Sequence, residues 1–176
     1  MNPVRWGILS TAEIALTRVI PAMASCEHSV VTAIASRVLE KAQKAAAQHG
    51  IAHAYGSYAA LLDDPDIDVV YNPLPNHLHL EWSARALRAG KHVLCEKPIA
   101  MNQAEVHELI HVRDETGLHI EEAVMIRNHP QWSSVLELIA ANTIGTPQSI
   151  QLAYAYREKN RNDYRYKPEM GGGAVY

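Results

Sequence analysis

Phenylalanine is absent from this 176-residue chain, whose aromatic content rests on eight tyrosines and three tryptophans. Cysteine is nearly absent: Cys26 and Cys95 are too few for a disulfide framework, so a reducing, cytoplasmic setting is expected. No apolar run approaches the ~18 residues of a membrane helix, and no membrane partner is expected. The start passes from Met1 into an apolar segment without a basic n-region or an h-region, so no secretory signal is expected. Basic excess is missing too, since the net charge is -3, and a general nucleic-acid surface is not expected. The ten histidines include His77-x-His79 and the pairs His49/His53 and His107/His111. Neither H-E-x-x-H nor C-x-x-C accompanies them, so no metal site is expected. Last, the phosphate-binding pattern G-x-G-x-x-G is missing where it would be sought. In "VRWGILSTAEIA" its positions hold Ser10, Ala12 and Ala15, and Gly7 comes too early.

What is present is an alternation of strand-like and helix-like segments, in a chain long enough for one domain of ~150 residues plus part of another. Val4–Leu9, Val30–Ala35, Val69–Asn72, Val93–Cys95 and Ile120–Val124 are short, mostly apolar and unalternating, as strands buried on both faces of a parallel sheet are. Between them the spacing predicts helices over Glu13–Ser25, Leu39–His49, Tyr58–Leu62, His77–Ala89 and Gln103–Thr116. Asn76, Asn102 and Ser57 stand where N-caps belong, and Gly90 stands where a helix stops. Repeated strand–helix units imply right-handed crossovers, hence an α/β fold with a Rossmann-like doubly wound parallel sheet.

The pattern changes after residue 124. Trp132–Ala141 reads as a helix and Gly145-Thr146-Pro147 as a turn. Ser149–Tyr156 then alternates, as in an antiparallel strand with one packed face. Two domains are therefore expected, residues 1–124 for a dinucleotide and 125–176 as the start of an α+β unit. Three glycines in "GGGAVY" normally connect two elements, so this second unit reads as cut short.

In a doubly wound sheet, ligands bind at the carboxyl ends of the strands. After the first strand, Ser10-Thr11-Ala12 offer small side chains and free backbone N–H groups to a phosphate; a plain strand–helix turn is the alternative. After the second, Ser36-Arg37 stand where an acidic residue would accept from the NAD ribose. An Arg there suits a 2′-phosphate, favouring NADP(H) over NAD(H); a solvated residue opening a helix is the alternative. After the third, prolines stiffen "PLPNHLH", placing Pro73, Leu74, Asn76 and His79 as cofactor-side candidates. After the fourth, "CEKP" brings Glu96 and Lys97 to the cleft, where Lys97 can hydrogen-bond a substrate oxygen and favour loss of its proton. Cys95 is read as packing, since no motif supplies the base a nucleophilic thiol needs. After the fifth, in "MIRNHPQW", Arg127 can hold a phosphate or carboxylate, and His129 and Gln131 can reach substrate.

Taken in order, "WGILSTAEIA", "ASR", "PLPNHLHLEWSARALRAGKHVLCEKPIA", "RNHPQW" and "GGGAVY" resemble the Gfo/Idh/MocA oxidoreductases, in particular their dihydrodiol- and xylose-dehydrogenase-like branch. The resemblance implies a Rossmann domain followed by a domain on an open, mostly antiparallel sheet that serves in homo-oligomer contact. It implies NADP, or NAD, as cofactor, and a sugar, polyol or related alcohol as substrate. Lys97 matches the catalytic lysine of the family's E-K-P motif, whose Lys–Pro bond is characteristically cis. Asn76, His79 and Glu96 match the nicotinamide end, Ser10 and Ala12 the phosphate turn, and "ASR" the NADP segment. The acid/base positions that follow "GGGA" in the family lie beyond Tyr176. The function so implied is hydride transfer by an NADP-dependent oxidoreductase. A cofactor-binding pseudo-enzyme or sensor and an NAD-dependent glycosidase are the alternatives.

Overall fold

The computed structural model describes residues 2–153, 163 and 166–172. Six parallel strands form one sheet: β1 (Val4–Leu9), β2 (Ser29–Ala35), β3 (His53–Tyr55), β4 (Val69–Asn72), β5 (His92–Cys95) and β6 (Ile120–Glu122). Their order, β3-β2-β1-β4-β5-β6, reverses direction between β1 and β4, which is the switch point of a doubly wound sheet. Neighbouring side chains in each strand point to opposite faces. Ile8, Ile34 and Tyr71 pack with Ala15, Ile20, Ala45 and Ala46 on one face. Leu9, Ala33, Ala35, Val70 and Cys95 pack on the other.

On that second face lie α3 (Tyr58–Leu62), α4 (His79–Arg88) and α5 (Gln103–Thr116), which contribute Leu61, Leu87, Leu109 and Val112 to the same cluster. The first face carries α1 (Ile20–Ala24) and α2 (Leu39–His49). Gly7 finds its reason here rather than in a phosphate turn. A Cβ at Gly7 would stand 2.8 Å from Ile67 Cδ1 and 2.9 Å from Leu61 Cδ2, so a larger residue would force these two buried side chains to shift.

The helix starts follow the expected chemistry at two places. Ser57 accepts from the Ala60 N–H at 3.1 Å. Asn102 accepts from the Glu105 N–H at 3.1 Å, and the Glu105 carboxylate accepts from Asn102 Nδ2 at 3.2 Å and from the Met101 N–H at 2.9 Å, a variant of the capping box. Elsewhere the structure corrects the sequence reading. The strand β3 was not anticipated, being three residues long with His and Tyr at its ends. The first helix is not uniform: Ala15–Val19 is a π-helical stretch that continues into α1. Asn76 does not cap α4 with its side chain; it opens a 3-10 turn, Asn76–Leu78, ahead of the helix.

Beyond β6 come a 3-10 turn, Met125–Asn128, and α6 (Pro130–Ala140), which begins two residues earlier than expected because His129 accepts from the Gln131 N–H. The anticipated strand at Ser149–Tyr156 is not formed over 149–153, and its remaining residues lie outside the described ones. Among the described residues no strand pairs with 149–153, so their N–H and C=O groups have no ladder to join. Among the described residues, no helix is long and apolar enough to cross a membrane.

Candidate functional site

The carboxyl ends of β1, β2, β4 and β5 bring most of the sequence-selected residues to one edge of the sheet. At the end of β1 the chain turns sharply, with Ser10 at φ +80°. This left-handed conformation is one that L side chains rarely adopt and is where glycine would ordinarily sit. Ser10 is tolerated because its N–H donates to Ala35 O at 2.9 Å and its Oγ accepts from the Ala12 N–H at 3.2 Å. The turn of a glycine-rich loop is thus made without the glycine. Ala15, at the motif's last position, is fully buried against the sheet, so a small residue is needed there for helix packing.

Ser36 is buried at the end of β2, and Arg37 beside it is exposed. Ser36 Oγ accepts from the Val38 N–H at 3.3 Å, and the Ser36 N–H donates to Tyr55 O at 3.0 Å. Arg37 is therefore presented from a turn fixed on both sides.

The loops after β4 and β5 face each other across a cleft of about 340 Å³, lined by Pro73, Leu74, Asn76, His79, Glu96 and Lys97 together with Ile14 and the start of the segment after β6. Asn72, fully buried, builds the first loop: Nδ2 donates to Ser83 Oγ at 3.0 Å and to His79 O at 3.3 Å, and Oδ1 accepts from the Leu74 N–H at 3.2 Å. His79 is also fully buried, with Nδ1 2.7 Å from Pro98 O and Nε2 2.6 Å from Leu74 O. Its polar atoms are spent on the protein, so the expectation that they meet a ribose is corrected. His79 instead staples the β4 loop to the β5 loop.

The Lys97–Pro98 bond is cis. The Glu96 carboxylate accepts from the Tyr71 hydroxyl at 2.7 Å and from the Lys97 N–H at 3.3 Å. Burial raises the Tyr71 pKa far above that of an exposed phenol, and the Glu96 carboxylate pushes it further the same way, so Tyr71 stays a donor. Lys97 is exposed on the cleft wall. Cys95 is fully buried, and burial pushes its thiol up to about 12.

Asn76 turns its amide to the far end of the chain, where Nδ2 donates to Gly171 O at 2.7 Å. Gly171 sits at φ +75°, and a Cβ there would stand 2.7 Å from Asn76 Cβ and 2.6 Å from Met101 Sδ. Both the backbone and the contact demand glycine. Arg127 is not drawn in: it is exposed in the turn whose Met125 and Ile126 line the cleft. His129 caps α6 through its own ring. Among the described residues, no group of three or more His, Cys, Asp or Glu could hold a metal ion. Tyr71 and Asn72 were missed by the sequence reading, although a Tyr-Asn pair closing an otherwise apolar strand was the available signal.

A family model described as "Oxidoreductase family, NAD-binding Rossmann fold" (Gfo/Idh/MocA) matches residues 4–124. The chain belongs to this family. An uncharacterized oxidoreductase of Rhizobium meliloti is 49% identical over 100% of the chain and 53% of its own length. The D-xylose 1-dehydrogenase (NADP(+)) 2 of Haloferax volcanii is 40% identical over 97% of the chain and 52% of its own length. The 3-ketoreductase KijD10 of Actinomadura kijaniata, solved with NADP and TDP-benzene, superimposes with a TM-score of 0.92 at 40% identity, covering 98% of this chain and 53% of that one. The chain therefore spans about half the length of the curated relatives it matches.

Proposed function

We propose that the chain is the coenzyme-binding part of an NADP-dependent oxidoreductase that moves a hydride between nicotinamide and a sugar, polyol or related alcohol. The observation that carries this is the shared cleft: Lys97 and Glu96 face the Pro73–His79 loop beside the β1 turn, at the switch point of the sheet. Ser10, Thr11 and Ala12 fit a diphosphate, because the left-handed turn at Ser10 brings a run of small side chains to the start of a helix. Ser36 and Arg37 fit a 2′-phosphate. Pro73, Leu74, Asn76, His79 and Glu96 form the wall at the nicotinamide end, and Arg127 stands by for an anionic substrate group. Bound NADP supplies the hydride acceptor. Lys97 donates a hydrogen bond to the reacting oxygen and favours departure of its proton. Glu96, tied to Tyr71, fixes the loop from which Lys97 reaches.

Residues 125–176 are read as the start of a second domain for substrate and homo-oligomer contact, in a reducing, cytoplasmic setting. Relatives named as a xylose dehydrogenase and as dTDP-sugar 3-reductases support a sugar substrate. Nicotinamide fluorescence tests the coenzyme half directly: NADPH is expected to bind more tightly than NADH, and equal affinities would overturn the assignment. In the full-length protein, Lys97→Met is expected to abolish sugar oxidation while NADPH binding persists.

A further inference from the structure

Asn76 sits in a loop anchored around it. Asn72 Oδ1 accepts from the Leu74 N–H, and the His79 ring bridges Leu74 O and Pro98 O. Between those anchors Pro73 and Pro75 fix φ. The Asn76 side chain is only 8% exposed, and a buried amide without an acceptor is destabilising. Its acceptor comes from 95 positions further along the chain, where Nδ2 donates to Gly171 O at 2.7 Å.

The segment that supplies this carbonyl is closed on itself. Pro168–Met170 form a 3-10 turn that packs against the Asn76–Leu78 turn. The Met170 and Gly172 N–H groups donate to Lys167 O at 3.0 and 2.9 Å, and the Gly171 N–H donates to Pro168 O at 3.0 Å. Gly171 stands at φ +75°, and a Cβ there would meet Asn76 Cβ at 2.7 Å, so a larger residue would hold the two turns apart. The contact is thus specified from both sides, by a donor at 76 and by the lack of a side chain at 171. Asn76 also lines the cleft that holds Glu96 and Lys97. We propose that Asn76 is a positioning residue for the second unit: its amide seats the glycine stretch at the rim of the coenzyme cleft, beside the wall that carries Lys97. This rests on reading residues 125–176 as the start of a substrate unit, and it adds the residue that anchors that unit.

The test is amide hydrogen exchange of the 176-residue chain, read by mass spectrometry, for the unaltered chain, Asn76→Asp, Gly171→Ala and the double variant. Exchange over β4 and β5 reports whether the fold is intact. Aspartate keeps the shape of asparagine and removes the donor at pH 7, whereas alanine at 171 keeps the donor and adds the Cβ. Each single variant is expected to speed exchange over 168–172 about three- to tenfold, the worth of one hydrogen bond, with β4 and β5 within about twofold. The double variant is expected to exchange no faster than the faster single one, because both changes break the same contact. Below about pH 4 the carboxyl of the Asn76→Asp variant is protonated and can donate again. Its exchange is then expected to return toward that of the unaltered chain at the same pH, while Gly171→Ala stays fast. Comparison at matched pH cancels the titration of Glu96, Lys97, Lys167 and Glu169, which line the cleft or flank the glycine stretch. Unchanged exchange over 168–172 in either single variant, additive effects in the double variant, or no recovery at low pH would each overturn the proposal. Faster exchange spread equally over β4 and β5 would overturn it too, by making Asn76 a residue of the core alone. No coenzyme or substrate enters these measurements, so a chain that fails to bind NADPH would strike the proposed function and leave the seating of the glycine stretch standing.

Discussion

At the scale of single residues, Ser10 shows how a dinucleotide turn survives without its glycine. Its φ of +80° costs a non-glycine residue about 1 kcal/mol, and the Oγ contact with the Ala12 N–H returns part of that. Ser10→Gly relieves the strain, loses the contact and loosens the unfolded chain, so its stability is expected within about 0.5 kcal/mol of the original. Ser10→Val, branched at Cβ and without the hydroxyl, is expected to cost about 2 kcal/mol. Urea unfolding of the two variants checks this, and a Val variant as stable as the Gly one would mean that the turn is not held left-handed. The two cysteines give a second check. Cys26 is exposed, whereas Cys95 is buried with its thiol pushed up to about 12. One thiol is expected to react promptly with a thiol reagent at pH 8, and the second only in denaturant; two prompt thiols would place Cys95 at the surface.

Between elements, β1 is tied to the entrance of β4 by Arg5, whose Nη2 donates to Asp68 Oδ1 at 2.7 Å and whose Nε donates to Oδ2 at 3.0 Å. The Arg5 side-chain hydrogen bonds, joined by its backbone N–H and its charge, hold the Asp68 carboxyl down at about 2. A depressed carboxyl contributes its full stability above the unfolded-state value and loses it as pH falls through the folded one. Linkage alone would put this at ~2.5 kcal/mol, but the two side chains are 37% and 39% exposed, and screening reduces it to about 1 kcal/mol. Arg5→Met is therefore expected to be less stable than the original at pH 6, with the difference shrinking between about pH 4.5 and pH 2. A constant difference across that range would show that the pair contributes through packing alone.

This scale also explains what could be read from the sequence. Strands buried on both faces announced themselves as largely apolar runs, and the loops after them converge, so Lys97, Glu96, Asn76 and His79 line one cleft. β3 was invisible because three residues, His53–Tyr55, are too few for any period. The alternation at 149–153 misled because a period of two describes a face, while a strand also needs a partner for its backbone. His79 was found for its chemistry, yet its nitrogens close the protein's own loops, a role that depends on residues 74 and 98 meeting in space.

At the scale of the whole molecule, apolar surface is distributed unevenly. The sheet and its helices bury their hydrophobic residues, but α6 buries none of its own. Met125 is 81% exposed, Leu136 65%, Ile144 59%, Ile150 81% and Leu152 74%. Singly such residues are ordinary; five within the described stretch after β6 leave apolar area that water covers poorly. Each fully buried side chain of this kind returns about 1.5–3 kcal/mol, so even partial cover between copies offsets much of the entropy of association. The chain is accordingly expected to self-associate with rising concentration and to enhance the fluorescence of an apolar dye while folded. The paired substitution Leu136→Lys and Ile144→Lys touches no buried position, so it is expected to reduce both effects and leave the unfolding midpoint of the Rossmann sheet unchanged. Sedimentation velocity over a hundredfold concentration range decides it. A monodisperse monomer throughout would mean that this surface is covered within the chain itself, and a fall in the midpoint of the paired variant would mean that α6 is packed on the sheet.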